Sequence, residues 1–484
     1  MSAASEYVDV LVVGAGLSGV GAACHLQMEA PTRSVAIVEA RAVSGGTWDL
    51  FRYPNVRSDS DMYTLGYEFA PWLDRKSIAD GDSILRYIRD TAERFGVAEK
   101  IQYNTKVVSA NWDSVAAEWN VELENATSGE RRTLRCNFLW ANTGYYRYDE
   151  GFRPHFEGEE SFNGQFVHPQ FWPESLDWSE KRVVVIGSGA TAMTLVPALA
   201  KTAAHVTMLQ RSPTYVAARP DVDGLANWLQ RRLPTKSAFR LIRWKNVLLS
   251  TLTYQLSRRR PEVIKKALRQ GAVDALPAGF DVDRHFGPAY NPWDQRLCLV
   301  PNGDLFAAIS AGTVDVITDE IATVTPNGIT LKSGTSLDAD IIVTATGLSV
   351  QLLGGFSVSL DGSPLDIASS LAYKGIMLTG VPNLAMTFGY TNASWTLKAD
   401  LTARYICRLL NVMEKKNVRT CTPEAPIDGP SATPYIELSA GYIQRVADQL
   451  PKQGHKMPWR LYQNYFLDTV LFRVRRVNDH MRFS

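Results

Sequence analysis

Hydrophobic and polar positions alternate between two textures along this chain. Short, nearly unbroken apolar runs occur at VDVLVV (8–13), SVAIVEA (34–40), KRVVVIG (181–187) and HVTMLQRS (205–212). Runs of that kind predict strands covered on both faces, as in parallel sheets flanked by helices. The first and third run straight into glycines and then small residues on a helical pattern, so each opens a strand–turn–helix–strand unit. Two further apolar strands, RCNFLWANTGYY (135–146) and DADIIVTATGL (338–348), each end in a Thr-Gly turn and close one unit. A different texture fills RLIRWKNVLLSTLTYQLSRRR (240–260), where apolar residues recur at roughly helical spacing. A helix is also expected from Trp395, with Ser394 as its cap. No run of eighteen uncharged apolar residues appears.

The turns carry the chemistry. Gly14, Gly16 and Gly19 stand in GxGxxG spacing, with Ser18 beside the third. The first glycine permits the tight turn and the second admits a pyrophosphate to the backbone. The third lets helix and strand approach, and the helix N-terminus attracts phosphate. The second strand ends in Glu39, an acid placed to accept hydrogen bonds from a free ribose 2′-hydroxyl. The second unit repeats the design with Gly187, Ser188, Gly189, Ala190 and Thr191, and has Ala192 in the third position. Its following strand ends in Arg211 and Ser212, a cation and a hydroxyl that suit a 2′-phosphate. The alternatives are a glycine turn without ligand and an exposed strand-end cation. The first site is therefore expected to hold an unphosphorylated dinucleotide and the second NADP. No CxxxxC pair is present, so electrons from NADPH would pass through a flavin to something other than a disulfide. The expected fold class is α/β, with two Rossmann-like dinucleotide-binding domains and a helical insertion. FAD-binding segments span 1–145 and 350–484. The NADP domain lies between them at 146–349, with a linker at 162–173 and helices at 216–285.

The linker FNGQFVHPQFWP (162–173) contains Gly164, His168 and Trp172. With Phe162 and Pro173 it resembles the FxGxxxHxxxWP signature of Baeyer–Villiger monooxygenases, a branch of the class B flavin-dependent monooxygenases. GGTWDLFRYPNVRSD (45–59) is similar to a second signature of that family. Asn55 departs from the usual glycine or methionine there, a change that a positive φ tolerates. Within the family the resemblance is strongest to the mycobacterial thioamide-activating type, through NPWDQRLCLVPNGDLF (291–306) and GYTNASWTLKADL (389–401).

The resemblance implies that NADPH reduces FAD and that oxygen adds as a flavin peroxide. The peroxide then attacks a ketone to give an ester or lactone, or transfers oxygen to a sulfide or thioamide. It implies Arg296 as the cation stabilising this chemistry, with an ion pair to Asp294 as the alternative, and Asp59 as the acid that orients Arg296. Gln295 stands where the family often has lysine. Flavin contacts are implied for Gly46, Thr47, Trp48, Asp49, Leu50, Arg57, Ser58, Asp59 and Val107. Gly164, His168 and Trp172 would form a conformational linker rather than an acid–base site. On their residue types alone, Trp172 plugs a domain seam and His168 bonds a backbone carbonyl. Two other readings stay open: a heteroatom (N/S) hydroxylating flavin monooxygenase, and a non-oxygenating flavin reductase or redox-responsive membrane-binding module.

A net charge of +1 argues against nucleic acid as a partner. The five cysteines are scattered without CxxC, which suits reduced thiols in a cytoplasmic protein and no metal site. The polar N-terminus predicts no signal segment. Residues 231–269 hold twelve Lys or Arg against Glu262, which leaves the remainder near −10. That segment is either a solvated helical lid or a surface for anionic lipid at the inner membrane face. Expected partners are O2 and a small apolar ketone or sulfide; the oligomeric state is not legible.

Overall fold

The computed structural model describes residues 6–295, 297–431 and 433–484. Two sheets organise the chain. In the first, the Glu6–Val13 strand lies parallel to Val35–Val38 on one side and to Arg131–Ala141 on the other. Its residues Val10, Leu11 and Val12 are fully buried, because the Leu17–Glu29 and Trp395–Lys416 helices pack over one face while an antiparallel meander extends the sheet. The strand Leu384–Met386 pairs with Arg131–Ala141, so the polypeptide returns to this sheet after the second has been built.

The second sheet is wholly parallel, in the order Val314–Thr318, His205–Gln210, Arg182–Ile186, Ile341–Thr344, Gln165–Val167. Between the sheets, Tyr146–Gly151 pairs antiparallel with Leu348–Val350. This two-stranded ribbon is where the chain leaves the first unit and re-enters it. Tyr53, from the first unit, inserts into the hydrophobic core of the second beside Val167 and Val183. Arg57 also crosses the boundary, forming a bidentate ion pair with Asp304.

The 162–173 segment is not a plain linker. Gln165–Val167 supplies the edge strand of the second sheet, and Pro169–Phe171 forms one 3-10 turn. A Cβ on Gly164 would lie 2.3 Å from the Asp340 carbonyl, so the edge strand needs glycine to come that close. The helices Gly224–Arg232, Thr235–Arg259, Pro261–Ala275 and Val282–Phe286 follow the second unit's nucleotide loop. Arg243 departs from a solvated basic face. It is buried and donates to the carbonyls of Tyr63, Thr64 and Gly66 and to Asp400, which fastens the long helix to the first unit.

Candidate active site

A cavity of about 490 Å³ opens at the strand ends of the first sheet. Its floor is the first glycine loop. Gly14 has φ +99°, and a Cβ there would lie 2.8 Å from the Asn142 carbonyl. Gly16 packs against Gly46, which has φ +56°. Gly19 lies behind the loop, where a Cβ would come within 1.8 Å of the Gly14 carbonyl; it seats the helix and does not line the cavity. Glu39, 6% exposed, accepts from the Ala15 amide at 2.8 Å and the Arg41 amide at 3.0 Å. Burial pushes its carboxyl above the usual range, against those two amides.

The walls combine aromatic rings with hydroxyls. Trp395 stacks on Tyr145 with centroids 5.3 Å apart and donates from Nε1 to Ser18 Oγ at 2.7 Å. Thr47 shares a 3.1 Å hydrogen bond with Tyr148, whose phenol is pushed up to about 12 by burial. Trp48, Ser58, Asp59 and Val107 also line the cavity. Asn55 takes φ +62°, which explains how this chain dispenses with glycine there. Asn142, just before the Thr-Gly turn that ends the 135–146 run, has its side-chain Oδ1 buried in the cavity wall without a hydrogen-bond partner. Tyr145, Tyr148 and Tyr390 line the cavity as well. The tyrosines follow the strand end at 135–146 or sit inside the 389–401 motif, so proximity to those motifs was the available signal.

Ser394 precedes the Trp395 helix but does not cap it; its hydroxyl bonds Thr64 Oγ1 at 2.6 Å instead. Asp49 does not line the cavity. Its buried carboxylate is shared by Arg41, Arg52 and Arg89 at 2.6, 2.7 and 2.8 Å. Leu50 does not line the cavity either. Arg57 reaches the wall, yet its guanidinium is already engaged by Asp304.

The second glycine loop meets the same space. Ala190, Thr191 and Thr194 line the first unit's cavity from the opposite side. Burial pushes the Tyr53 phenol up to about 12, with Thr191 beside its hydroxyl. Gly187 has φ +133° and lies under the Ala345 carbonyl. Ser188 Oγ donates to the Ser212 carbonyl at 3.0 Å, and a Cβ on Gly189 would meet nothing within 4 Å. Ala192 is fully buried in the helix, while Arg211 and Ser212 are exposed at the strand end.

His168 Nδ1 accepts from the Gln170 amide at 3.2 Å, and its ring fills the space a Cβ on Gly151 would need. Burial lowers its pKa, which keeps the ring neutral. Trp172 packs edge-on against Trp178 at 5.7 Å. Gln170, not anticipated from the sequence, donates to the Arg147 and Tyr148 carbonyls and so ties this turn to the ribbon between the units. Arg296 lies outside the described residues. Asp294, its alternative ion partner, pairs with Arg258 at 2.5 Å. All five cysteines are buried and none forms a disulfide. No metal-ligating cluster and no helix long and apolar enough to cross a membrane occur among the described residues.

Comparison with known proteins places this geometry. A flavin-binding monooxygenase-like family description matches residues 74–356, and an NAD(P)-binding Rossmann-like description matches 12–69. The FAD-containing monooxygenase EthA of Mycobacterium tuberculosis H37Rv is 52% identical over 482 residues, covering 99% of this chain and 98% of that protein. The probable FAD-binding monooxygenase AlmA of Acinetobacter baylyi is 47% identical, covering 98% and 95%. The solved structure of an oxidised steroid monooxygenase bound to NADP aligns with a TM-score of 0.77 over 99% of both chains at 19% identity. Cyclohexanone-bound cyclohexanone monooxygenase aligns with a TM-score of 0.73 over 99% of this chain and 100% of that one at 18% identity, a likeness of fold. Two glycine-loop units facing one cavity, matched along their length by such relatives, show that the chain belongs to the flavin-binding monooxygenase-like family.

Proposed function

We propose that the chain is an FAD-containing, NADPH- and O2-dependent Baeyer–Villiger monooxygenase that converts ketones to esters or lactones and also oxygenates sulfides and thioamides. The observation that carries this reading is the meeting of both nucleotide loops at one cavity, with Gly14 and Gly16 on one side and Ala190 and Thr191 on the other. FAD belongs to the first unit, 1–145 with 350–484, and NADPH to the second, 146–349. The residues fit a flavin dinucleotide. The loop is open where a Cβ would obstruct it, Asn142 Oδ1 awaits a donor, and stacked aromatics form a flat wall. Bound FAD would supply hydride acceptance from NADPH and oxygen activation.

This chain's residues would orient and protect that chemistry. Glu39 would receive the ribose hydroxyls, and Arg211 with Ser212 the 2′-phosphate of NADPH. Trp395 and Tyr145 would keep water from the reacting carbonyl. Arg296 would hold the negative charge that develops on that carbonyl, with Asp59 orienting it. Gly164, His168 and Trp172 would couple nucleotide binding to movement between the units. The test is product analysis with purified enzyme, NADPH and ¹⁸O2 over a panel of ketones and sulfides. One labelled oxygen in an ester supports the reading. Oxygenated amines or sulfides without ester would point to a heteroatom monooxygenase, and NADPH oxidation with no oxygenated product to a reductase.

A second reading concerns the helical segment. Leu241, Trp244, Leu248 and Leu252 recur at three- and four-residue steps and are all exposed, Leu252 at 58%. Trp244 lies 6.1 Å from the exposed Phe466 ring. Of the twelve basic residues, Arg243 is buried and Lys245, Arg258, Lys265 and Arg269 pair with acids. The other seven are exposed. Peripheral contact with an anionic bilayer would use this apolar stripe and its basic flanks. Vesicle flotation with and without phosphatidylglycerol tests it; equal binding to neutral vesicles would reject it.

A further inference from the structure

A second cavity, about 380 Å³, lies beyond the site described above. It is bounded by Tyr254 and Arg258 at the end of the long helix, by Trp293 and Asp294, by the turn at Thr391 and Asn392, and by the 460–463 segment. Among the described residues its charges are paired: Arg258 with Asp294 at 2.5 Å and Arg460 with Glu437 at 3.0 Å.

Two polar atoms among its lining residues stand unsatisfied. Trp293 Nε1 is buried without a hydrogen-bond partner, and so is Asn392 Oδ1. Unpaired buried groups are costly and uncommon, and a ligand is one of the explanations that removes the cost. Trp293 is also held at φ +72°, a region that a bulky side chain enters only when its surroundings impose it. Its ring is fixed edge-on to Tyr254 at 5.7 Å. Asn392 is anchored at its other end, where Nδ2 donates to the Gln463 carbonyl at 2.9 Å. The cavity wall thus holds one unsatisfied donor and one unsatisfied acceptor on rigidly held side chains.

The cavity also neighbours the first one. A crevice of about 20 Å³ lies between them. Tyr390 and Ala393 line both the crevice and the first cavity, while Tyr254, Asn392 and Gln463 line both the crevice and the second. One turn, 390–393, is therefore the partition between two chambers. Gln463 braces it, since Thr391 donates from its amide to Gln463 Oε1 at 3.3 Å.

We infer that the second cavity is an entry site that captures a neutral carbonyl substrate, and that it favours one carrying a hydroxyl as well. The Trp293 indole N–H donates to the carbonyl oxygen, Asn392 Oδ1 accepts from the hydroxyl, and the rings of Tyr254, Trp293 and Tyr462 cover the carbon skeleton. The inference rests on the ketone reading given above. A site whose buried acceptor needs a donor discriminates strongly against an analogue lacking it.

The experiment compares a ketone with a hydroxyketone of the same skeleton, using FAD-loaded enzyme. The wild type is expected to show a KM at least tenfold lower for the hydroxyketone. In Asn392→Leu that preference should collapse to within twofold. In Trp293→Phe the KM for both should rise about tenfold with kcat within twofold, because the residue acts before the reacting atoms are reached. Unchanged KM values in both variants, or no preference in the wild type, would overturn the inference. Should the wild type form no ester, the ketone reading fails separately. Calorimetric titration of ketone and hydroxyketone into the oxidised holoenzyme then still decides this site: weakened binding in Trp293→Phe supports it, and unchanged binding rejects it.

Discussion

The two glycine loops begin alike and end differently. In each, the first glycine has positive φ and lies beneath a strand-end carbonyl, Asn142 over Gly14 and Ala345 over Gly187. Beyond that point the first loop is enclosed. Gly19 lets the helix come within a distance no Cβ allows, Gly16 touches Gly46, and the buried Glu39 closes over the Ala15 amide. The second loop is open. Ala192 replaces the third glycine, Gly189 faces free space, and Arg211 and Ser212 are exposed. The same strand–turn–helix unit is thus built once as a closed seat and once as an open one. A closed seat suits a cofactor that stays through every turnover, and an open one suits a cosubstrate that must leave after each.

The sharpest way to break that contrast is to add one methyl to each loop. Gly19→Ala places a Cβ against the Gly14 carbonyl and should cost about 3 kcal/mol of stability. The protein should retain less than a tenth of its FAD, read from the visible spectrum after gel filtration. Gly189→Ala should keep its full FAD and its melting temperature. Next in size, Arg211→Ala should raise the KM for NADPH about thirtyfold, the loss of a charge-assisted pair worth roughly 2 kcal/mol. NADH kinetics should hardly move, whereas equal loss for both nucleotides would make Arg211 structural. Trp395→Phe removes the donor to Ser18 and should weaken FAD binding about fivefold, the worth of one neutral hydrogen bond. Measured by FAD titration of apoprotein, an unchanged affinity would detach Trp395 from the seat.

The smallest effect concerns the linker between the two seats. His168 has its pKa lowered by burial, so the folded protein holds fewer protons there than the unfolded chain. Its contribution to stability is present above an unfolded value of about 6.5 and is lost as pH falls through it. Melting temperatures between pH 7.5 and 5.5 should therefore fall less steeply in His168→Gln than in the wild type. Identical slopes would remove His168 from the acid response.

What the sequence made legible was local. Glycine spacing, apolar runs and the residues at strand ends lie within one strand–turn–helix unit, so their meaning does not depend on distant partners. The rest of the site is assembled across the chain. Trp395 reaches Ser18 from 377 positions away, and Asn142 enters the cavity wall from the far end of a neighbouring strand. Asp49 sits within the 45–59 motif, and Arg41, Arg52 and Arg89, two of them outside the motif, claim its carboxylate. Arg243 stood in a basic run and proved to be a buried anchor. Charge read along a sequence does not say which face a helix presents. Ser394 had the right type and place for a cap, but Thr64 offered its hydroxyl a nearer partner.

The central claim is that electrons pass from NADPH in the open seat to FAD in the closed one. Anaerobic stopped-flow mixing of the purified protein with NADPH or NADH tests it most directly, in the wild type and in Arg211→Ala. FAD should stay bound in both proteins, and NADPH should bleach the wild-type flavin far faster than NADH at equal, subsaturating concentration. The Arg211 variant should be reduced at nearly the same low rate by either nucleotide. Reduction by NADPH and NADH at equal rates in the wild type, or loss of FAD on replacing Arg211, would contradict the assignment of the two seats.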